Sequence, residues 1–69
     1  MSVYRMIDVI GTSTSSWEDA ARSAVETASG SLRDLRVAEV VRQDIDLGQN
    51  NEITFRVKLQ LSFKYEESQ

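Results

Sequence analysis

The chain has 69 residues, with no cysteine and no histidine, and a formal net charge of −3 at pH 7. These absences exclude disulfides, Cys/His zinc sites and Ser-His-Asp or thiol catalysis, and the acidic balance argues against nucleic acid, whose affinity depends on clustered Lys and Arg. One domain of this size buries only about 60% of the surface of its unfolded chain, so we expect oligomerisation to complete a marginal core.

No apolar stretch approaches the roughly 20 residues that a membrane span requires. The N-terminus also lacks the basic and then apolar pattern of a signal peptide. We therefore predict one domain over residues 1–69, located in the cytoplasm, with no membrane contact.

The first predicted element is a β-strand over Val3–Ile10, a β-branched and aromatic run. The strand is predicted to end at Gly11, because a run of serine and threonine that starts at Thr12 indicates a loop. That loop leads into a segment with a different period.

A helix follows, because the apolar spacing changes to i, i+3, i+4 and i+7, in a stripe made mostly of alanine. Ser15 and Glu18 match a capping box, in which two side chains satisfy free backbone N–H groups, so we predict that the helix begins at Ser16. Because Leu32 continues the stripe, we extend the helix to about Arg33.

Two long strands joined by a turn complete the chain. The second strand is predicted over Leu35–Leu47 and the third over Ile53–Tyr65, with turn residues at Gly48–Asn51. The third strand alternates cleanly between apolar and polar residues, which predicts one buried face. The order β-α-β-β predicts an α+β fold, in which a three-stranded antiparallel sheet partly wraps around one helix.

The second strand differs, since both phases of its alternation contain apolar residues. Val37 and Val41 lie in one phase, while Ala38 and Val40 lie in the other together with Arg42. One alanine-striped helix covers only one face of a sheet, so we expect neighbouring subunits to cover the rest.

Four strings, in this order and spacing, resemble the dodecin family: IDVIGTS, SSWEDAA, VAEVVRQD and TFRVKLQLSFK. The resemblance extends over almost the whole chain. It implies a dodecin-like fold, assembly of the chain with itself as a hollow homododecamer, and binding or storage of a small ligand, typically a flavin.

The chain departs from the family at three positions of the flavin pocket. By resemblance, Val37 stands where a Trp stacks on the isoalloxazine, Arg56 where a Gln pairs with the pyrimidine edge, and Arg42 where some flavin binders carry an acid. Valine offers no aromatic face, and a guanidinium donates hydrogen bonds but accepts none. Flavin binding is therefore disfavoured, although FMN or another flavin at this pocket stays an alternative.

Arg42 and Arg56 allow two interpretations. Guanidinium forks suit phosphate or carboxylate, so one interpretation is an anionic ligand such as a nucleotide or coenzyme phosphate. The other, which we favour, is an ion pair with Asp44 or Asp46 across the hairpin or an interface.

Carboxylates suggest a further ligand, a divalent cation. Asp8, Glu39, Asp44 and Asp46 are hard oxygen ligands that a symmetry axis would bring together. The resemblance to dodecin-like proteins without the flavin aromatic favours calcium, but nothing resembles an EF-hand loop and the sequence assigns no metal ligand. A purely structural oligomer without a ligand also stays open.

Trp17 and the loop from Thr12 to Ser16 each suggest ligand binding, by stacking and by anion binding at the helix N-terminus. We favour a packing anchor for Trp17, because it opens the apolar stripe, and a helix cap for the loop. No nucleophile is paired with a base, so we predict that the protein is not an enzyme.

Overall fold

The computed structural model describes residues 2–64. Its elements, in chain order, are β1 (Tyr4–Ser13), α1 (Trp17–Ser31), β2 (Leu35–Leu47), a short 3-10 turn (Gln49–Asn51) and β3 (Ile53–Lys64). The three strands form one antiparallel sheet in the order β1-β3-β2, so the last strand lies in the middle. The predicted α+β fold is confirmed. No helix in the described range is long and apolar enough to cross a membrane.

β1 extends beyond its predicted end. β1 continues to Ser13 instead of ending at Ile10, because β3 is long enough to pair with the extra residues, Ser13 lying opposite Phe55. The predicted loop at Thr12 was therefore wrong. The predicted end of β3 at Tyr65 lies outside the described residues.

The helix start lies one residue later than predicted. Ser16 is the N-cap, and its Oγ accepts a hydrogen bond of 3.0 Å from the backbone N–H of Asp19. Ser15 does not form the predicted capping box, because its backbone N–H, which the Glu18 side chain would have to accept, donates to Oγ of Ser13 at 2.9 Å. The Ser13 hydroxyl in turn donates to the Asp19 carboxylate at 2.9 Å. The predicted helix cap in this loop is thus confirmed, but the cap residue is Ser16 and not Ser15.

The helix end lies two residues earlier than predicted. Leu32 has an extended backbone, with φ −109° and ψ 141°, and its N–H caps the helix by donating to the carbonyl of Ala28. Asp34 then adopts a left-handed conformation, with φ 57°. This turn directs the chain into β2, so Arg33 cannot extend the helix.

The core lies between α1 and the alternate residues of β3. Val57, Leu59 and Leu61 are fully buried together with Ala20, which confirms the predicted alternation of β3. The alanine stripe allows close approach of the helix to β1. A Cβ atom at Gly11 would clash with the carbonyl oxygen of Ala20, so the close approach favours glycine at this position.

β2 contains two irregularities that the sequence did not predict. The pairing with β3 skips a residue between Leu35 and Val37 and another between Val40 and Arg42. A bulge of this kind inverts the phase of the strand. Arg42 therefore lies on the same face as Val37 and Glu39, and its predicted phase with Ala38 and Val40 was wrong.

Candidate functional site

The outer face of the sheet, defined as the side opposite α1, carries all three residues predicted for the pocket. Since Val57, Leu59 and Leu61 face the helix, the residues between them in β3 face outward. The pairing then assigns the pocket positions to the same face: Val37 lies opposite Ser62, Arg42 opposite Lys58, and Arg56 opposite Asp44. They come from two adjacent strands but from three different levels of the sheet.

Arg56 forms a forked ion pair with Asp44 across the hairpin. Its Nε donates to Oδ1 at 2.8 Å and its Nη2 donates to Oδ2 at 3.1 Å. The two side chains are 43% and 38% exposed, so water screens the pair and its contribution to stability is small. The favoured ion-pair interpretation is confirmed for Arg56, and the side of the guanidinium that would bind a ligand in a fork is already used.

The fork changes the acidity of both partners. The hydrogen bond from Arg56 holds the pKa of Asp44 below its usual value of 3.8, and the positive charges of Arg56 and Arg42 act in the same direction against an opposing effect of desolvation. The same hydrogen bond raises the pKa of Arg56. Asp44 is thus a carboxylate, and Arg56 a cation, at neutral pH.

Arg42 has a different environment from Arg56. It lies directly opposite Lys58, which carries the same charge, and neither residue forms an ion pair with any residue from 2 to 64. Like charges directly opposite each other destabilise a sheet. The ion-pair interpretation is thus not observed for Arg42 within residues 2–64, although its charge acts on Asp44.

Val37 provides an aliphatic surface where flavin stacking requires a ring. Its side chain is 57% exposed, and the residues across the sheet from it are Ser62 and Met6. None of the three is aromatic. This row of the outer face therefore offers no aromatic ring on which an isoalloxazine could stack.

The predicted carboxylates also lie on the outer face, but one chain does not assemble them into a metal site. Asp8 and Glu39 flank Gln60, Asp46 lies opposite Thr54, and Asp44 is held by Arg56. Among residues 2–64, no group of three or more His, Cys, Asp or Glu side chains is placed to hold a metal ion. The sequence did not reveal that Asp8 and Glu39 share a level of the sheet, because that depends on β3 lying between β1 and β2.

Trp17 packs on the helix side of the sheet. Its ring meets Phe55 edge to face, with centroids 5.2 Å apart and planes at 73°, and its Nε1 donates to the carbonyl oxygen of Asp44 at 3.2 Å. The predicted packing anchor is confirmed. The contact also fixes the backbone of Asp44 and so supports the ion pair on the opposite face, a link that sequence reasoning missed.

The sequence was compared with models of known protein families. Residues 3–66 match the dodecin family. The chain belongs to the dodecin family. The resemblance based on four sequence strings is therefore confirmed, together with the fold that it implied.

Two members of the family are similar to this chain over nearly its whole length. Calcium dodecin from Mycobacterium tuberculosis is 51% identical over 69 residues, which cover 100% of this chain and 97% of that protein. The crystal structure of this calcium-chelating antigen, with its calcium-binding site, matches with a TM-score of 0.87 over 99% of this chain and 97% of that one. The dodecin of Streptomyces coelicolor is 36% identical, with a TM-score of 0.88 over 97% of this chain and 96% of that one.

Proposed function

We propose that this member of the dodecin family binds calcium as an assembly of identical chains. The observation that carries the proposal is the similarity to the M. tuberculosis calcium dodecin, at 51% identity over the whole chain. The ligand chemistry agrees with it, since the chain has no cysteine or histidine and its 11 acidic residues exceed its 8 basic ones. Carboxylates and other hard oxygen ligands are those that calcium prefers.

Exposed carboxylates on the outer face are the candidate ligands. Asp8, Glu39 and Asp46 lie there and form no ion pair with another residue from 2 to 64. Calcium takes about six to eight oxygen ligands, more than one chain brings together in its described part. The ion is therefore expected to take ligands from more than one copy, with water completing the shell.

Assembly as a homododecamer is part of the proposal, with the number of copies taken from the resemblance to the family. Support comes from the apolar residues that a single chain leaves exposed on β2: Val37 is 57%, Val41 52% and Leu47 76% exposed. A small domain with so much apolar surface gains stability by covering it with further copies.

Flavin binding is expected to be weak. Val37 supplies no ring for stacking, and the fork of Arg56 already binds Asp44 and has no acceptor for a pyrimidine edge. The same ion pair weakens the alternative of a coenzyme phosphate held by Arg42 and Arg56 together. Enzymatic activity is not expected, and the cytoplasmic location stays a prediction.

Thermal unfolding with and without calcium tests the proposal. A ligand that binds only the folded assembly stabilises it by about 2.7 kcal/mol at a hundred times its dissociation constant. The melting temperature is expected to rise with calcium and to return after addition of a chelator. Magnesium should have a smaller effect, because it requires a stricter octahedral shell and gives up water reluctantly.

Two variants identify the ligands. Asp8→Asn and Asp46→Asn remove single carboxylate charges from the outer face, and Glu26→Gln makes the same change on the exposed surface of α1. Loss of the calcium shift in either outer-face variant, but not in Glu26→Gln, would support the outer face as the site. An unchanged melting temperature with calcium and chelator, together with no metal in elemental analysis, would contradict calcium binding. The protein would then be interpreted as a structural oligomer without a ligand.

A further inference from the structure

A groove runs along the side of α1 that faces β1, on the opposite side of the sheet from the outer face. Its volume is about 490 Å³, and its floor is formed by apolar side chains: Ile7 and Val9 of β1, Ala24 and Ala28 of α1, and Leu32 just after the helix. These side chains pack against the core but are only partly buried. A single chain therefore leaves an apolar surface open between its helix and its first strand.

The contact at Gly11 and the alanine stripe give the groove its shape. Helix and strand approach closely at Gly11, where an added Cβ would lie 2.8 Å from the Cβ of Ala24. Beyond that contact the short side chain of Ala28 leaves space in front of β1. The helical wall extends from Ser23 to Ser31, a rise of about 12 Å. The groove thus narrows at Gly11 and extends toward the C-terminal end of α1.

The end of the groove near the C-terminus of α1 is basic. A second cavity, with a volume of about 330 Å³, shares Ser31 and Leu32 with the groove. Three of the eight basic residues of the chain line it together with one acidic residue: Arg5, Arg33, Lys64 and Asp34. The chain as a whole has a net charge of −3, so this basic mouth has the opposite sign and attracts anions.

The guanidinium of Arg5 is positioned by an aromatic ring. It lies over the ring of Phe63, 5.7 Å from the centroid, and Phe63 is itself only 8% exposed. Neither Arg5 nor Arg33 forms an ion pair with another residue from 2 to 64. A guanidinium that stacks on a ring keeps its N–H groups in the plane for hydrogen bonds, and its fork matches a carboxylate. The basic mouth is therefore prepared for an anionic head group.

We propose that the groove binds the aliphatic chain of a fatty acid, and that Arg5 and Arg33 in the basic mouth bind its carboxylate. Sites for small molecules typically have volumes of about 300–1,000 Å³ and an apolar lining with a few placed polar groups. An uncharged hydrocarbon would not use the two arginines, and a small polar anion would not use the apolar floor. The inference goes beyond the proposed function and rests neither on calcium binding nor on the number of copies.

A series of chain lengths tests the groove. The full chain, in its assembled state and without calcium, is titrated in a calorimeter with hexanoate, octanoate, decanoate and dodecanoate below their micelle concentrations. Each further buried methylene group should lower the dissociation constant by up to about fourfold, and the gain should end when the chain outgrows the groove. Decanol has the same chain length as decanoate without the charge, and it should bind at least about tenfold more weakly.

Variants separate the head-group contact from the groove. Arg5→Gln should weaken decanoate at least about tenfold without changing decanol. Arg22→Gln is the control, because Arg22 lies on the side of α1 that faces β2 and should not affect either ligand. Ala28→Leu fills the groove and should abolish binding of both ligands, whereas Ala21→Leu makes the same change on the β2 side. Circular dichroism shows whether each variant is folded, and Thr27→Leu at the exposed rim replaces Ala28→Leu if that variant does not fold.

Three results would overturn the inference. The first is no binding of any carboxylate by the wild type, which would mean that another copy covers the groove in the assembly. The second is equal affinity for decanoate and decanol with no effect of the groove-filling variants, which would indicate non-specific adsorption. The third is an Arg5→Gln variant with lower stability but unchanged affinity for decanoate. Arg5 would then balance the C-terminal end of α1, whose last turn has no basic residue. The calcium-dependent shift in melting temperature is unaffected by all three results.

Discussion

β2 and β3 are adjacent strands of similar length, with 13 and 12 residues, but their side chains have opposite surroundings. β3 lies in the middle of the sheet, and its apolar residues Val57, Leu59 and Leu61 are fully buried under α1. β2 lies at the edge, where Val37, Val40 and Val41 are at least half exposed. Apolar content alone therefore does not decide burial; the position of the strand in the sheet does.

The contrast separates two kinds of stabilisation. The core around β3 is complete within one chain, so its contribution should not depend on protein concentration. The apolar surface of β2 gains a neighbour only when copies associate, so its contribution should grow with concentration. Substitutions on the two strands can test this difference directly.

The largest effect is expected for Leu59→Ala in β3. Removal of this fully buried side chain leaves a cavity and should cost about 2–5 kcal/mol of unfolding free energy at any concentration. The matched variant is Val40→Ala, because Val40 lies opposite Leu59 in β2 and is 50% exposed. Urea unfolding at low protein concentration should show a loss of less than about 1 kcal/mol for Val40→Ala. Equal losses for the two variants in dilute solution would contradict the comparison.

A smaller effect is expected at Gly11, where β1 meets the helix. Gly11→Ala places a Cβ against the carbonyl oxygen of Ala20 and 2.8 Å from the Cβ of Ala24, so the helix must move away. We expect a loss of about 1–3 kcal/mol, which is typical of overpacking. Gly30 is the control, since a Cβ there has no atom within 4 Å and Gly30→Ala should stabilise the helix by up to about 1 kcal/mol. Thermal unfolding should therefore shift in opposite directions for the two variants, and a shift in the same direction would refute the close contact.

The smallest effect is expected for the exposed ion pair between β2 and β3. Because the pKa of Asp44 is lowered in the folded state, the pair contributes to stability above a pH of about 3.8, and this contribution disappears as the pH falls through the lowered pKa. Arg56→Gln should return the pKa of Asp44 toward its usual value and remove this part of the acid dependence. NMR titration of the Asp44 carboxyl measures the shift, and Arg56→Lys, which keeps the charge without the fork, should retain only part of it. An unchanged Asp44 titration in Arg56→Gln would mean that the fork does not form in solution.

The sequence by itself determined the features that depend on near neighbours in the chain. The period-two pattern of β3 and the alanine stripe of α1 were predicted, because each reflects alternation or helical spacing within one segment. The limits of β2 at Leu35 and Leu47 were predicted from its strand-forming composition and the turn residues that follow it. The pairing of Arg56 with Asp44 was one of the predicted alternatives, since a hairpin brings opposite charges on its two strands together. The family was also evident, because the order and spacing of four strings span nearly the whole chain.

Tertiary structure decided the features that depend on pairing between distant segments. The extension of β1 to Ser13 exists because β3 offers a partner there, and this extension places Ser13 where its hydroxyl accepts from Ser15 and donates to Asp19 beside the Ser16 cap. The bulge at Val41 is the clearest case, since one skipped residue moves Arg42 to the outer face while leaving the local pattern of the sequence unchanged. Register is set by hydrogen bonding to another strand, and a one-residue shift reverses the face of every side chain that follows.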